Sequence, residues 1–157
     1  MVGYSGTPLP QKLGIKEGAT VVLLNPPAGF EAVLGALPDG VVLFDALEPD
    51  ADVPNVDVPN LDVAVLFVTE RAELEARFDE VAASLQPAGG LWVAWPKKSS
   101  GVPTDLTEDV LREVGLPKGW VDNKVCAVTD VWSGLRFVLR LENRPPRPPP
   151  TRPRGRP

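Results

Sequence analysis

The sequence predicts a single three-layer α/β domain, in which a mostly parallel sheet lies between two layers of helices and ends in a C-terminal β-hairpin. Three observations support this fold class. The chain has 157 residues, which is the size of one domain. Short apolar runs alternate with amphipathic segments, and such near-continuous runs are typical of strands that are covered on both faces. The last two extended runs are separated only by residues 130–134, so they are predicted to pair as a hairpin.

In the first half of the chain, turn residues separate the elements. Asn25 and the two prolines that follow it end the first strand, because proline has no N–H group to donate. Asp45 ends the second strand. The predicted elements of this half are a helical turn over residues 9–13, a buried strand over 19–24, a helix over 28–37 and a second buried strand over 41–44.

Residues 46–60 are rich in proline, aspartate and asparagine and show no periodicity, so they are predicted to form a loop. The strongest helix follows the third strand with Thr69 as its N-cap, because its apolar residues fall on one stripe. Another helix begins at Thr104 or Asp105, where Asp105 and Glu108 form a variant of the capping box. The predicted strands of this half cover residues 61–68, 91–95, 121–129 and 135–141.

Charge is distributed unevenly along the chain. The last fourteen residues hold five of the 16 lysines and arginines and none of the 21 acidic residues, so 11 basic residues remain before them. Residues 1–143 are therefore predicted to form an acidic folded domain, and the proline-rich residues 144–157 a disordered tail. An acidic body opposes nucleic-acid binding by the domain, whereas the tail could contact nucleic acid, an acidic surface or a domain that recognises proline-rich segments.

The composition excludes several kinds of chemistry. The chain has no histidine and one cysteine, which removes Ser/His and Cys/His nucleophile pairs and an intramolecular disulfide. Cys126 lies in a valine-rich strand pattern and is predicted to be a buried, inert thiol. No metal site is predicted, because the acidic residues show no ligand spacing. The apolar runs are too short to span a membrane and the N-terminus shows no secretory signal, so a cytoplasmic location is expected.

A candidate ligand site follows the strand over residues 91–95. It consists of five polar residues before and at the start of the next helix: Lys97, Lys98, Ser99, Ser100 and Thr104. Ligands of open α/β sheets bind at the loops outside the carboxyl ends of strands. Ammonium groups, hydroxyls and backbone N–H groups at this point would suit a phosphate or a carboxylate. The alternative is an ordinary solvated loop, because the spacing of a P-loop is absent.

Three features of residues 19–141 match one known enzyme class. Asp62 begins the strand LDVAVLF, the segment LQPAGGLWVAW contains a Pro-Gly-Gly-like turn, and a hairpin ends the sheet. In these features the chain resembles the Rossmann-like catalytic domain of class I S-adenosylmethionine-dependent methyltransferases. The resemblance implies S-adenosylmethionine as cofactor, with Asn25, Gly29 and Asp45 at the positions of that family's glycine-rich turn and ribose-binding acid. The chain departs from the family at the turn, which reads NPPAG and lacks two N–H donors.

Longer segments cover much of the chain. They are YSGTPLPQKLGIKEG, LWVAWPKKSSGVPTDLTED and VDNKVCAVTDVWSGLRFVLR. These segments resemble the signature segments of a bacterial family of unknown function that occurs in many actinobacteria. The resemblance implies no established activity, so it adds neither a reaction nor a site residue.

Three functional hypotheses remain open, and the sequence alone does not decide whether the chain is an enzyme. The first is an α/β domain that binds a small anionic ligand or a protein partner without demonstrated catalysis. The second is an atypical methyltransferase-like enzyme that uses S-adenosylmethionine. The third is an interaction module that uses Trp132 and the Arg/Pro-rich tail, because a tryptophan in a hairpin turn is difficult to explain as core.

Overall fold

The computed structural model describes residues 8–45 and 61–140. The predicted loop over residues 46–60 and the predicted disordered tail lie outside the described residues. The helices are α1 (Leu9–Lys12), α2 (Phe30–Leu34), α3 (Arg71–Ala83) and α4 (Glu108–Gly115). The strands are β1 (Thr20–Leu24), β2 (Val42–Phe44), β3 (Leu61–Phe67), β4 (Leu85–Pro96), β5 (Trp120–Ala127) and β6 (Trp132–Leu139). No helix in the two described ranges is long and apolar enough to cross a membrane.

The six strands form one sheet in the order β2-β1-β3-β4-β6-β5. The first four strands in this order run parallel to one another. β6 is antiparallel to both of its neighbours, β4 and β5. Because β5 and β6 are consecutive in the chain and pair with each other, they form the predicted C-terminal hairpin. The arrangement confirms the predicted α/β fold with a mostly parallel sheet.

The sheet separates two apolar cores. The core on the side of α3 and α4 contains Phe78 and Trp95, and the core on the side of α1 and α2 contains Phe30 and Trp92. Trp92 and Trp95 therefore point to opposite faces, as the alternation of side chains along a strand predicts. Trp92 is fully buried, and its indole N–H donates a hydrogen bond to the carbonyl of Leu13 at 3.0 Å. That bond satisfies the polar atom of the ring.

The helix after β4 begins later than the sequence predicts. Its N-cap is Thr107, whose Oγ1 accepts a hydrogen bond from the N–H of Val110 at 3.2 Å, and its first residue is Glu108. Asp105 acts at another helix, because its Oδ1 accepts a hydrogen bond from the N–H of Arg71, the first residue of α3, at 2.7 Å. The predicted capping box is therefore wrong. Asp105 joins the loop before α4 to the start of α3.

The ends and the exposure of several other elements also differ from the predictions. β2 is exposed rather than buried, with 49% of Val42 accessible, because within the described ranges it pairs with β1 alone and lies at the edge of the sheet. The N-cap of α3 is Glu70, and β4 begins at Leu85, directly after that helix. Trp132 does not lie in the hairpin turn. It is the first residue of β6, and its ring packs edge-on against Phe67 with 5.2 Å between centroids.

Candidate functional site

Four parallel strands end at the same edge of the sheet, which we call the carboxyl edge. The residues that follow these strands are Asn25 after β1, Asp45 after β2, Val68 after β3 and Lys97 after β4. Both groups of predicted site residues, those of the β1 turn and those of the loop after β4, therefore lie at this edge. Ligands of open α/β sheets bind outside such an edge, so we take its loops as the candidate functional site.

The turn after β1 has an unusual backbone. Asn25 has a φ of 63° and Gly29 a φ of 80°, in the left-handed region that asparagine and glycine tolerate best. The Nδ2 group of Asn25 donates hydrogen bonds to the carbonyl of Phe67 at 3.4 Å and to Oε2 of Glu73 at 3.3 Å, which orients the side chain. No heavy atom lies within 4 Å of the position that a Cβ on Gly29 would take. The turn is therefore open on that side.

Asp45 is an exposed acid at this edge. β2 pairs with β1 so that Phe44 lies opposite Val22, which places Asp45 beside the end of β1. Within residues 8–45 and 61–140, no hydrogen bond or ion pair engages the Asp45 carboxylate. Both of its oxygens are therefore available to accept hydrogen bonds from a ligand.

Glu73 belongs to the same site, although the sequence analysis did not identify it. It lies in the first turn of α3, where it accepts hydrogen bonds from Nδ2 of Asn25 at 3.3 Å and from the N–H of Thr69 at 3.5 Å. A local signal existed, because a glutamate in the first turn of a helix often reaches back to the N–H groups that precede it. The contact with Asn25, 48 residues earlier, has no signal in a single sequence.

The loop after β4 divides the five predicted polar residues into two groups. Lys97, Lys98 and Thr104 line a cleft of about 460 Å³, which we call the lysine cleft. Its other walls are formed by residues of β4, the α4 region and the hairpin: Trp95, Leu106, Thr107, Glu108, Val125 and Ser133. Ser99 and Ser100 do not line it. The hydroxyl of Ser100 instead donates to the Lys97 carbonyl at 2.6 Å and so stabilises the loop itself.

Hydrogen bonds anchor the same loop near both of its ends. At one end, the N–H of Lys97 donates to the carbonyl of Val131 in the hairpin turn at 2.7 Å. At the other end, Oγ1 of Thr104 donates to the carbonyl of Thr69 at 2.5 Å and accepts from the N–H of Leu106 at 3.0 Å. The Thr104 hydroxyl therefore holds the wall of the lysine cleft in place, and its one proton is already donated.

A second cleft of about 460 Å³ lies at the carboxyl edge on the side of α2. Pro27 and Phe30 form part of one wall, and Asp130 and Trp132 form part of the other. Phe67 packs edge-on between the rings of Phe30 and Trp132, with centroid distances of 4.9 Å and 5.2 Å. Trp132 is thus half-buried in an aromatic cluster, so a packing role explains it without a partner surface.

Comparisons with known proteins bear on this site. No family model and no curated protein matches the sequence. A SAM-dependent methyltransferase from Aquifex aeolicus superposes with a TM-score of 0.58 at 15% identity, over 81% of this chain and 85% of that chain. A putative type 11 methyltransferase from Sulfolobus solfataricus gives 0.55 at 14% identity, over 83% and 89%. The Burkholderia thailandensis 1,6-didemethyltoxoflavin-N1-methyltransferase, solved with S-adenosylhomocysteine, gives 0.55 at 15% identity, over 83% and 74%.

These similarities show that the chain has the Rossmann-like fold of class I methyltransferases, as its order of elements predicts. They also correct the first functional hypothesis, that of a domain which binds a small anion or a protein partner without catalysis. The three solved structures named above are described as methyltransferases, so the comparisons agree better with the second hypothesis than with the first.

Proposed function

We propose that this chain is an atypical S-adenosylmethionine-dependent methyltransferase that binds its cofactor at the carboxyl edge. The observation that carries the proposal is the Asp45 carboxylate, which is exposed beside the end of β1 and has no partner within the described ranges. Two neighbouring hydroxyl groups of a ribose would find two acceptor oxygens at this point. The fold shared with S-adenosylmethionine-dependent methyltransferases supports the same reading.

The chemistry of the β1 turn fits this cofactor through acceptors rather than donors. Pro26 and Pro27 offer no N–H groups, whereas Asp45 and Glu73 bring two carboxylates to the same edge. S-adenosylmethionine carries a positive sulfonium, a positive ammonium and two ribose hydroxyl groups, all of which suit acceptors and negative charge. The open side of Gly29 leaves space for a ligand to approach the backbone closely.

Each residue of the site would have a distinct role. When bound, S-adenosylmethionine supplies an electrophilic methyl group for transfer to a nucleophile. Asp45 would accept hydrogen bonds from the ribose hydroxyls, and Asn25 would keep the turn in shape through its bonds to Phe67 and Glu73. Because the chain has no histidine, a proton would be accepted by a carboxylate, and of the two beside the turn Glu73 is the one not assigned to the ribose.

The lysine cleft is the proposed site of the methyl acceptor. It lies at the same edge as Asp45, and its volume of about 460 Å³ is within the range of small-molecule sites. Trp95 and Val125 supply apolar surface, and Lys97 and Lys98 supply ammonium groups that would bind a polar group of the acceptor. This combination of apolar walls and a few polar groups is typical of sites that orient a small molecule.

Isothermal titration of the full chain with S-adenosylmethionine and S-adenosylhomocysteine tests the proposed function. We expect saturable binding of both compounds by the parent chain. Asp45→Ala should weaken binding roughly 10- to 100-fold, because it removes the charged acceptor of two hydrogen bonds. Asp39→Ala is the matched control, because it removes an equally exposed carboxylate from the opposite edge of the sheet. The backbone carbonyl of Asp39 accepts a hydrogen bond from Gly18, which lies before β1.

The outcomes are distinct. Saturable binding that Asp45→Ala weakens and Asp39→Ala preserves supports the proposal. No saturable binding of either compound by the folded parent chain at millimolar concentration would contradict it. Equal losses in the two variants would contradict the role of Asp45.

A further inference from the structure

The opposite edge of the sheet, which we call the amino edge, carries a cleft that the proposed function does not use. This cleft has a volume of about 500 Å³, and residues before β1 and at the starts of β3 and β4 line it. Four basic residues also line it: Lys12, Lys16, Lys124 and Arg136. We propose that this basic cleft is a second binding site, for a compact phosphate-bearing molecule of about the size of a nucleotide.

The concentration of positive charge in the basic cleft contrasts with the rest of the chain. Residues 1–143 hold 11 basic and 21 acidic residues, and four of the 11 basic residues line this cleft. Two acids, Glu17 and Asp62, share its walls. The Asp62 carboxylate accepts hydrogen bonds from the N–H of Thr20 at 2.9 Å and from Nε2 of Gln86 at 3.2 Å. Neutral donors therefore hold Asp62, and the residues that line the cleft carry four positive and two negative charges.

Two of the cations occupy paired positions on neighbouring strands. Lys124 on β5 is directly opposite Arg136 on β6 in the antiparallel register. Like charges in such a position repel and destabilise the strand pair. Gly90 on β4 leaves space for Arg136, because a Cβ at that position would overlap the guanidinium group. Nη1 of Arg136 donates to Oδ1 of Asn123 at 3.3 Å, and an anion that contacted both cations would further lower their repulsion.

The positive charge reaches this wall from separate elements. Lys12 belongs to α1, Lys124 to β5 and Arg136 to β6. Burial raises the pKa of Cys126, and both Lys12 and Lys124 act on the same thiol in the opposite direction. Lys12 and Lys124 are thus close enough to act on one group, although they are 112 residues apart in the sequence. The fold, rather than a local basic run, brings these charges together.

The class of ligand follows from charge and size. Ammonium and guanidinium groups bind phosphate oxygens through charge-assisted hydrogen bonds. A volume of about 500 Å³ accommodates a nucleotide-sized molecule. A long polyanion such as nucleic acid fits less well, because the acidic residues elsewhere on the body would repel the phosphates beyond the cleft. The inference does not depend on the proposed methyltransferase function, since the two sites lie at opposite edges of the sheet.

Calorimetric titration of the full chain at low ionic strength with pyrophosphate, ADP and adenosine tests this inference. We expect pyrophosphate and ADP to bind with an affinity that substitutions in the basic cleft reduce, whereas adenosine, which has no phosphate, should respond to none of those substitutions. Equal affinities for pyrophosphate and ADP would indicate that phosphate groups alone are recognised, and tighter binding of ADP would indicate that the nucleoside is held as well. Either result supports the inference, and added salt should weaken both interactions.

A pair of charge-reversal variants locates the site. Lys16→Glu combined with Lys124→Glu should weaken pyrophosphate binding at least about tenfold, because two attractive charges become repulsive. Both lysines are exposed, so the variant should fold, and Lys124→Gln alone provides a milder second test. Lys97→Glu combined with Lys98→Glu makes the same charge change at the lysine cleft and should leave pyrophosphate binding unchanged.

Three results would overturn the inference. The first is the absence of pyrophosphate and ADP binding by the folded parent chain. The second is full binding by both amino-edge variants. The third is loss of pyrophosphate binding in the lysine-cleft variant, which would place the anion at the carboxyl edge.

Discussion

At the scale of single residues, the shape of the carboxyl edge depends on Asn25. Its left-handed backbone is tolerated because a short polar side chain can form local hydrogen bonds in this conformation. Its Nδ2 group bonds to the end of β3 through Phe67 and to the start of α3 through Glu73. A single side chain therefore fixes the β1 turn relative to two other elements, in a turn that lacks the usual series of glycines.

Cys126 is expected to react slowly with thiol reagents in the folded chain. Burial raises the pKa of Cys126, with a smaller opposing effect of Lys12 and Lys124, so little thiolate is present at neutral pH. Labelling with an aromatic disulfide should be slow at neutral pH and should accelerate when the chain is denatured. Equal rates in the folded and denatured chains would contradict this expectation, and Cys126→Ser is the blank.

The same shift gives the sign of a pH effect on stability. The folded chain keeps the Cys126 proton to higher pH than the unfolded chain does. The contribution of this thiol to stability is therefore fully present below the pKa of the unfolded thiol, and it is lost as pH rises through the raised pKa of the folded state.

Sequence neighbours could reveal some of the site residues but not others. Asp45 and Lys97 directly follow apolar runs, so their positions at strand ends are predictable from the pattern. The partners of Glu73 and Asp105 lie 48 and 34 residues away along the chain. Those contacts depend on how α3 and the loop before α4 pack at the ends of the strands, which periodicity does not encode.

At the scale of elements, polar contacts around Arg71 join the start of α3 to α4 and to the loop before α4. The N–H of Arg71 donates to Asp105, and its guanidinium group bonds to Glu75 at 2.8 Å and to Glu113 on α4 at 2.7 Å. The hydrogen bonds to Glu75 and then to Glu113 raise the pKa of Arg71. Because these side chains are largely exposed, water screens the pairs, and they fix orientation more than they add stability.

Thr107→Ala should lower the free energy of unfolding by about 1 kcal/mol, because it removes the side-chain acceptor for the N–H of Val110 at the start of α4. Thr107→Ser keeps that acceptor and is the matched control. Urea denaturation followed by circular dichroism measures both variants. An Ala variant as stable as the Ser variant would show that the cap contributes nothing.

Two of the predictions that were wrong concern the burial of β2 and the first residue of α4, both of which depend on neighbouring elements. Residues 41–44 read as a buried strand because they are all apolar, but an apolar run does not reveal whether its strand is central or at the edge. α4 begins at Glu108 rather than at 104 or 105 because Asp105 bonds to the start of α3 instead. In both cases a contact between elements overrides the local pattern.

At the scale of the whole molecule, one sheet is shared by two cores. β3 and β4 contribute side chains to both, since alternate residues of each strand face opposite layers. Loss of either helical layer would expose apolar side chains of the same strands to water. The two cores are therefore expected to unfold together.

Thermal unfolding should show a single transition by two independent probes. Trp92 lies in one core and Trp95 in the other, so tryptophan fluorescence samples both, and far-ultraviolet circular dichroism follows the sheet and the helices. We expect coincident midpoints for the parent chain and for Trp92→Phe and Trp95→Phe, which each remove one tryptophan of a core and leave Trp132 or Trp120 to report on it. Separated midpoints would mean that the two cores unfold independently.

The architecture was more predictable than the function for a physical reason. Strand and helix order depends on hydrophobic patterning along the whole chain, and that pattern survives many local changes. A prediction of function depends on far fewer residues, above all on the NPPAG turn, where Pro26 and Pro27 depart from a glycine-rich sequence. A departure at one turn argued for a binding domain without catalysis, but the fold places the chain among structures of methyltransferases.

The two anchors of the loop after β4, at Val131 and at Thr69, have a consequence for the selectivity of the lysine cleft. Because hydrogen bonds hold this loop near both of its ends, a ligand binds to a surface that is already formed. Such preorganisation reduces the entropy lost on association. Selectivity between different ligands of the lysine cleft would then depend on steric fit and on the rotamers of Lys97 and Lys98.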